Sequence, residues 1–366
     1  MCKRIFTNQT SEVGEVPFFK IGTIGGSPDA FISRELFEEY RTKYSYPTEG
    51  EVMITCAGTV GKTMQFDGTD SYFQDSNIVW IHNPNRLTIN DFLFYVFGKI
   101  NWNKLNSTTI TRIYNDDLRN LIYFAPENVA EQKKIVSLLR LIDERIATQR
   151  RLIEDLEKLK SSINETLYVS LATDYKTSFY EIGSDYGGLT GKSAEDFGVG
   201  KPFISYLNVY QNQVITDCNF DYVEIRDGEN QNKVQKGDLL FTLSSETPEE
   251  IGYSAVYMGD ANELYLNSFC FGIHISESKI VYPPYMGYLT STSYFRRKII
   301  PYAQGSTRFN LHKPSLMSMR FSLPTKENQI KIFDTLRLIV EKISVEKEIL
   351  SNFTQQKDYL LSKLFI

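Results

Sequence analysis

Apolar residues recur along two stretches of the chain in alternating steps of four and three. The first runs Ile135, Leu139, Ile142, Ile146, Ile153, Leu156, Ile163 and Leu167; the second runs Ile332, Leu336, Ile339, Ile343, Leu350, Phe353, Leu360 and Leu364. The two series superimpose at an offset of 197, and both are broken at the same two places, by Gln149 and Lys160 in one and by Glu346 and Lys357 in the other. A 3.5-residue apolar period held over about four heptads is a coiled-coil seam. Neither helix can bury such a stripe alone, so the simplest expectation is that the two pack on each other. The four polar interruptions either fix register inside the seam or face solvent where the helices splay.

The segments before the two helices repeat as well. Gly50-Glu51-Val52-Met53-Ile54-Thr55 answers to Gly237-Asp238-Leu239-Leu240-Phe241-Thr242, and Val60-Gly61 to Ile251-Gly252. Asp75-Ser76 and Ile81-His82 answer to Asn267-Ser268 and Ile273-His274; Thr111-Arg112-Ile113-Tyr114 answers to Thr307-Arg308-Phe309-Asn310, and Leu118 to Leu316. Pro126 and Gln132 recur as Pro324 and Gln329. The offset drifts between matches, as it does when shared strands are joined by loops of different length. Short β-branched and aromatic runs bounded by Gly, Asn, Asp and Pro read as strands. Asp91–Ile100 and Pro284–Ile299 read as helices, with strand left open by their aromatic density. The expected fold is therefore α+β: two similar globular domains separated by two long helices in an antiparallel coiled coil, with internal pseudo-two-fold symmetry. The expected boundaries are 1–127 and 173–324 for the globular domains, and 128–172 and 325–366 for the helices. At a rise of about 1.5 Å per residue, Ile135 to Leu167 is a ruler of roughly 50 Å.

Composition narrows the classes only slightly. The chain has 366 residues and a net charge of −5, with no run resembling a membrane span or a signal peptide. Cys2, Cys56, Cys218 and Cys270 lack paired spacing, which suits reduced thiols in the cytoplasm. Residues 1–125 carry 12 basic and 14 acidic side chains, and residues 173–323 carry 13 and 17. A nucleic-acid surface, if present, is then a local patch.

Two related domains on a rigid spacer suit a partner with its own helical repeat, and duplication within one chain leaves each half free to read a different half-site. The residues also carry a resemblance. Pro126-Glu127-Asn128-Val129-Ala130-Glu131-Gln132-Lys133-Lys134-Ile135 resembles the entry to the spacer helix of the DNA-specificity subunits of type I restriction-modification systems. Gly50–Ile54 followed by Gly58-Thr59-Val60-Gly61-Lys62 resembles that family's target-recognition domain, as does Gly305-Ser306-Thr307 before the second helix. The second copy departs from the first with Asn328 in place of Glu131 and Ser244–Pro248 in place of Ala57-Gly58-Thr59. The chain also begins close to its first matched segment, as it would if a short N-terminal stretch were missing. The resemblance implies a non-catalytic subunit that binds double-stranded DNA and reads one half of a bipartite, gapped target with each domain. It would dock two methyltransferase subunits on its helices and assemble with restriction and translocase subunits. No cofactor would be bound by this chain; S-adenosylmethionine and ATP would be used by the partners.

Other chemistries find less support. Cys56-Ala57-Gly58-Thr59-Val60-Gly61-Lys62-Thr63 and Tyr186-Gly187-Gly188-Leu189-Thr190-Gly191-Lys192-Ser193 end like a phosphate-binding loop but lack its leading glycine. Phe197-Gly198-Val199-Gly200 with Tyr282-Pro283-Pro284-Tyr285 imitates a stand-alone amino-methyltransferase. No buried strand leads in, however, and Tyr282 is a poor substitute for a carboxylate or amide. His82, His274 and His312 have no ligand-spaced neighbours, so no metal site is expected. A duplicated scaffold without a DNA role stays open as an alternative.

Candidate DNA contacts follow from the residue types that meet bases and phosphates. In the first half they are Lys62 and Thr63 in the Gly58–Thr63 turn, Arg112, Tyr114 and Asn115 in the Thr108–Asn115 segment, and the positive charges Lys20, Arg34, Arg41 and Lys43. In the second half they are Gln304, Ser306, Thr307, Arg308, Asn310, His312 and Lys313, then Lys192, Arg296 and Arg297. Arg112 and Arg308 are favoured by their matching place in the two copies. A structural role for that segment, closing onto the helix start, is equally compatible with the sequence.

Overall fold

A computed structural model describes residues 1–84, 87–102, 112–171, 175–216, 220–276 and 280–365. Cys218, Thr108–Thr111 and the expected boundary at 172/173 lie outside them. The chain forms two compact units, Met1–Arg150 with Glu348–Ile366, and Arg151–Lys347, so each unit contains a globular part and one half of each long helix.

The first unit runs β1 (Val16–Phe19), β2 (Phe31–Ile32), α1 (Arg34–Lys43), β3 (Val52–Thr55), β4 (Thr63–Gln65), β5 (Tyr72–Phe73), β6 (Ile78–Ile81), α2 (Asn90–Lys99), α3 (Asn115–Arg119) and then α4 (Val129–Leu171), which continues into the second unit. Its sheets have the orders β2-β1-β5 and β4-β3-β6. β3 reads as a continuous apolar run because both its faces are covered. Met53 points into a core with Val16, Phe37 and Tyr72, while Val52 and Ile54 point the other way, against Leu93, Phe97 and Trp102.

In the second unit come β7 (Tyr175–Thr177), α5 (Phe179–Ile182), β8 (Gly183–Gly187), β9 (Phe197–Ile204), α6 (Tyr206–Gln211), β10 (Val214–Ile215), β11 (Asp221–Val223), β12 (Leu239–Thr242), β13 (Ser244–Ser245), β14 (Ser254–Tyr257), β15 (Tyr265–Leu266) and β16 (Cys270–Ile275). These are followed by α7 (Pro283–Ser291), α8 (Ser293–Ile299), β17 (Ala303–Gln304), β18 (Phe309–Leu311), α9 (Lys313–Ser318), β19 (Phe321–Leu323) and α10 (Lys326–Leu364), which continues into the first unit. Its main sheet has the order β10-β14-β12-β16-β8. β12 repeats the two-faced logic of β3, with Leu239 and Phe241 in one core and Leu240 in another. Asp91–Ile100 is helical, as read. Pro284–Ile299 is two helices instead of one: Thr292 is extended, and its hydroxyl accepts from Phe295 N and donates to Leu289 O, capping α8.

The shared ancestry of the units is visible in hydrogen bonds. Gly50 and Gly237 both have positive φ, +82° and +93°, and each donates its N–H over 2.7 Å, to Phe66 O and Tyr257 O respectively. The acid that follows then ties the turn. Glu51 accepts from Thr48 N at 2.9 Å, and Asp238 from Gln235 N at 2.8 Å. The same acids hold His82 and His274, both at 2.8 Å, so these two histidines are structural. The copies differ at both edges: β16 carries β8 and β14 carries β10, whereas among the described residues β6 and β4 each pair only with β3.

Each long helix starts at a buried glutamine. Gln132 accepts from Ile89 N at 2.9 Å and donates to Leu87 O and Pro126 O at 2.9 and 2.7 Å. Gln329 accepts from Tyr282 N at 2.8 Å and donates to Ile280 O and Pro324 O at 2.7 and 2.8 Å. Both side chains are fully buried. Beyond them the apolar series named above is buried or half-buried at every position. The helices are antiparallel in each unit. Asp143 meets Lys357 at 2.6 Å and Arg145 lies over the Phe353 ring in the first unit, while Glu157 meets Lys347 at 2.9 Å in the second. The four polar interruptions divide. Gln149 and Glu346 are buried in the seam, Lys357 crosses to the opposing helix, and Lys160 reaches Gln213 of the globular part at 3.3 Å.

Replacing Gln132 or Gln329 by Leu strands one buried N–H and two buried carbonyls. At about 1–3 kcal/mol for each unsatisfied group, the loss should reach about 3 kcal/mol or more. Urea unfolding of either variant should show a lowered midpoint, and a Lys133→Leu control on the exposed face should not.

Candidate nucleic-acid interface

The turn after β3 and the turn after β12 hold the strongest sequence candidates, and the same backbone bonds build both. Thr55 N donates to Lys62 O and Cys56 N to Asn77 O; Thr242 N donates to Tyr253 O and Leu243 N to Phe269 O. Ile113 N then donates to Cys56 O, as Leu311 N does to Leu243 O. In each unit the segment ahead of the spacer helix therefore crosses the turn, bringing two separate stretches of sequence onto one surface.

These bonds correct the internal alignment at this point. Ile113 corresponds to Leu311, so Arg112 corresponds to Asn310, and Tyr114 to His312, each at the N-terminus of a short helix. Arg308 is not the counterpart of Arg112. It lies two residues earlier, in the tip of the β17–β18 hairpin, while Arg112 is half-buried beside Cys56. The matched position that favoured both arginines is thus lost. The hairpin tip is tight: Gly305 has φ +128°, and a Cβ there would fall 2.2 Å from Arg308 O.

The remaining candidates separate by what already holds them. Lys62, Arg297 and Arg308 are exposed, and their side chains close no hydrogen bond or ion pair among the described residues. Thr63 is half-buried at the start of β4, whereas Asn115, Gln304, Ser306, Thr307 and Asn310 are exposed. Tyr114 is exposed and its N–H donates to Asp117 at 2.7 Å; His312 meets Ser315 at 2.7 Å. Lys20 pairs with Asp29 at 3.0 Å and Lys43 with Glu39 at 3.0 Å, while Arg34 and Arg41 share Asp70. Donation to the Asp70 carboxylate raises the Arg34 pKa, and donation to Glu39 raises the Lys43 pKa. Lys313 pairs with Asp185 and lies over the Phe271 ring.

Two candidates are occupied by the fold itself. The Lys192 side chain is almost fully buried and donates to Glu229 at 2.6 Å and to Glu224 O at 2.5 Å. Arg296 donates to three carbonyls, Glu249 O, Ile251 O and Gly252 O, at 2.8, 2.5 and 3.1 Å, and lies over the Tyr253 ring. Burial lowers its pKa, and the carbonyls take up its donors. Both residues fasten loops and leave no donor fork for DNA.

In the second unit an open cavity of about 370 Å³ lies where the hairpin tip meets the turn after β12. Its floor is Tyr206, whose hydroxyl donates to Ser244 O at 2.7 Å, and Tyr210, whose hydroxyl donates to Glu250 at 2.8 Å. The Glu250 carboxylate pushes the Tyr210 pKa up to about 12, so the phenol is a neutral donor. Leu207, Phe269 and Glu246 join Arg308 at its mouth. Of the residues around this cavity, sequence reading named Arg308 and missed Tyr206, Leu207, Tyr210, Glu246, Glu250 and Phe269. Phe269 carried the only available signal, a large aromatic following the Asn267-Ser268 turn, where its counterpart in the first unit is Asn77.

The enzyme-like motifs dissolve in this geometry. Phe197-Gly198-Val199-Gly200 lies within β9 instead of in a turn after a strand, and Pro283-Pro284 opens α7. Among the described residues no group of His, Cys, Asp and Glu is arranged to hold a metal ion, and no helix is long and apolar enough to cross a membrane.

The model of the type I restriction modification DNA specificity domain matches residues 1–158 and again residues 178–355. The chain belongs to the type I restriction-modification DNA specificity family. A putative type I restriction enzyme specificity subunit of Haemophilus influenzae is 43% identical over 180 residues, which is 49% of this chain and 43% of that protein's length. The match thus spans less than half of that relative. The crystal structure of a type I restriction-modification S subunit from M. genitalium aligns with all of this chain and 92% of its own, at 17% identity and a TM-score of 0.55. A chain from a structure addressing complex assembly and conformational transition of the type I R-M system aligns over 95% of this chain and 90% of its own, at 16% identity and a TM-score of 0.58. At these identities the likeness is one of fold.

Two predictions follow from the occupied cations of this specificity chain. Arg296→Ala should destabilise by about 2–4 kcal/mol through three stranded carbonyls, whereas Arg297→Ala should leave the unfolding midpoint unchanged. The Lys192 bond holds the Glu229 carboxyl down at about 2, against an ordinary value of 4.5. A carboxylate with a lowered pKa stabilises the fold above its unfolded value, and that contribution disappears as pH falls through the folded value. Thermal melts of Lys192→Ala should therefore lose less stability than the parent between pH 4.5 and 2.

Proposed function

We propose that this chain is the sequence-reading subunit of a type I restriction-modification complex acting on double-stranded DNA in the cytoplasm. Each globular part reads one half of a bipartite, gapped target, and the antiparallel helices set the gap and dock two methyltransferase subunits. The chain performs no catalysis and binds no cofactor. S-adenosylmethionine and ATP serve the methyltransferase and the restriction and translocase subunits.

One observation carries this reading: a common backbone presents different side chains in the two copies. Positions equivalent by their hydrogen bonds hold Lys62 and Tyr253, Asn77 and Phe269, and Arg112 and Asn310. A pure scaffold has no need to diversify the surface while preserving the frame beneath it. Two readers of unlike half-sites do, because base edges are distinguished by side chains and not by the backbone that carries them.

The test is methylome sequencing of a host carrying this chain with its neighbouring methyltransferase, beside a host lacking the chain. A gapped adenine-methylation motif that vanishes with the chain is expected. Unchanged methylation with a demonstrably active partner would favour the scaffold reading.

A further inference from the structure

The cavity in the second unit has charges that the fold does not use. Pairing of β13 with β18, Ser244 to Asn310 and Ser245 to Phe309, fuses the turn and the hairpin tip into one rim. The two tyrosines beneath are stacked at 5.9 Å and direct their hydroxyls inward, fixing the rim from below. At the mouth, Leu207 and Phe269 are 58% and 55% exposed, a poor state for large apolar groups in a finished surface. Beside them Arg308 and Glu246 are exposed and close no hydrogen bond or ion pair among the described residues, the Arg308 charge acting only at a distance on the Tyr206 phenol. Lys313, two residues beyond β18, instead closes an ion pair with Asp185.

A carboxylate on a DNA-facing rim is repelled by phosphates. It becomes favourable only opposite an exocyclic amino group, and the amino group of cytosine in the major groove is a donor of that kind. A permanently charged guanidinium forks onto O6 and N7 of guanine. Both demands are met by a single base pair.

Given the DNA-reading function proposed above, we propose that the second unit reads a G·C pair in its half-site. Arg308 takes the guanine edge and Glu246 the cytosine amino group, with Phe269 and Leu207 packed against the neighbouring base edge. The first unit reads a different sequence at the corresponding place, where Asn77 replaces Phe269.

The experiment compares wild type, Arg308→Ala and Glu246→Gln in the assembled methyltransferase complex, by methylome sequencing and by binding to duplexes substituted at each position of the motif. Thermal melts verify folding, and the near-isosteric Glu246→Gln guards against a collapsed rim. Both variants should relax one G·C position in one half-site, losing on the order of 5- to 150-fold discrimination there, with the other half-site unchanged. Glu246→Gln should also admit adenine in place of cytosine. A uniform weakening across all duplexes, with a salt slope reduced by about one, would make Arg308 a phosphate contact and overturn the proposal. So would relaxation at an A·T position or in both half-sites. If wild type itself directs no gapped motif, the functional reading fails first; if it does and the variants keep its specificity, only this assignment fails.

Discussion

The structure turns on one side chain used twice. A primary amide is both donor and acceptor, and at Gln132 and Gln329 it satisfies three backbone groups that helix entry would otherwise leave stranded. Those groups come from two places, the loop leading into α2 or α7 and the proline that precedes the spacer helix. The amide therefore welds the helix to the globular part of its own unit. A Glu there would have no N–H to give the carbonyls, and a Leu would satisfy nothing. If the chain holds a reading surface on a spacer, as proposed, this joint is where rigidity is needed, because play at the helix start would reach every loop beyond it.

Above that joint, structure and specificity are kept apart. The glycine-acid turn, the acid–histidine bond, the two-faced central strand and the crossing of the turn by the pre-helix segment recur with the same partners in both units. The side chains projecting from this frame do not recur. Such a division lets base contacts change without touching the groups that carry the fold, since exposed loop positions contribute little to stability while buried polar groups contribute much.

The parts of this organisation that were legible in sequence are those enforced by periodicity or by a residue with few substitutes. The seam was readable because burial along a supercoiled pair imposes a 3.5-residue repeat, and the Pro126/Gln132 and Pro324/Gln329 recurrence because no other side chain performs the clamp. His82 and His274 were placed as structural from their matched strand positions, and each is held by the acid of its glycine turn. The register of the Arg112 segment was not readable: the two copies arrive there through loops of different length, and a shared Thr-Arg dipeptide outweighed the true match between Ile113 and Leu311. Nor could sequence distinguish a cation open to solvent from one the fold consumes. Arg296 and Lys192 look as available as Arg297 and Lys62 until carbonyls and carboxylates from distant segments are seen around them.

That consumption also bears on how an acidic chain could bind the polyanionic partner proposed for it. Asp70 pairs with both Arg34 and Arg41, Asp185 holds Lys313, Glu229 holds Lys192, and Glu263 holds both Lys201 and Lys233. Many of the cations beside the globular parts are thus held by acids of the same chain, which lowers the number left to displace counterions from DNA. Non-specific affinity scales with the number of phosphates neutralised, so such a surface holds random DNA weakly. A weak non-specific term raises the ratio of specific to non-specific binding, the quantity that matters among many competing sites. Under the proposed function, the exposed charges at Lys62, Arg297 and Arg308 would fit a reader that gains its selectivity from base edges.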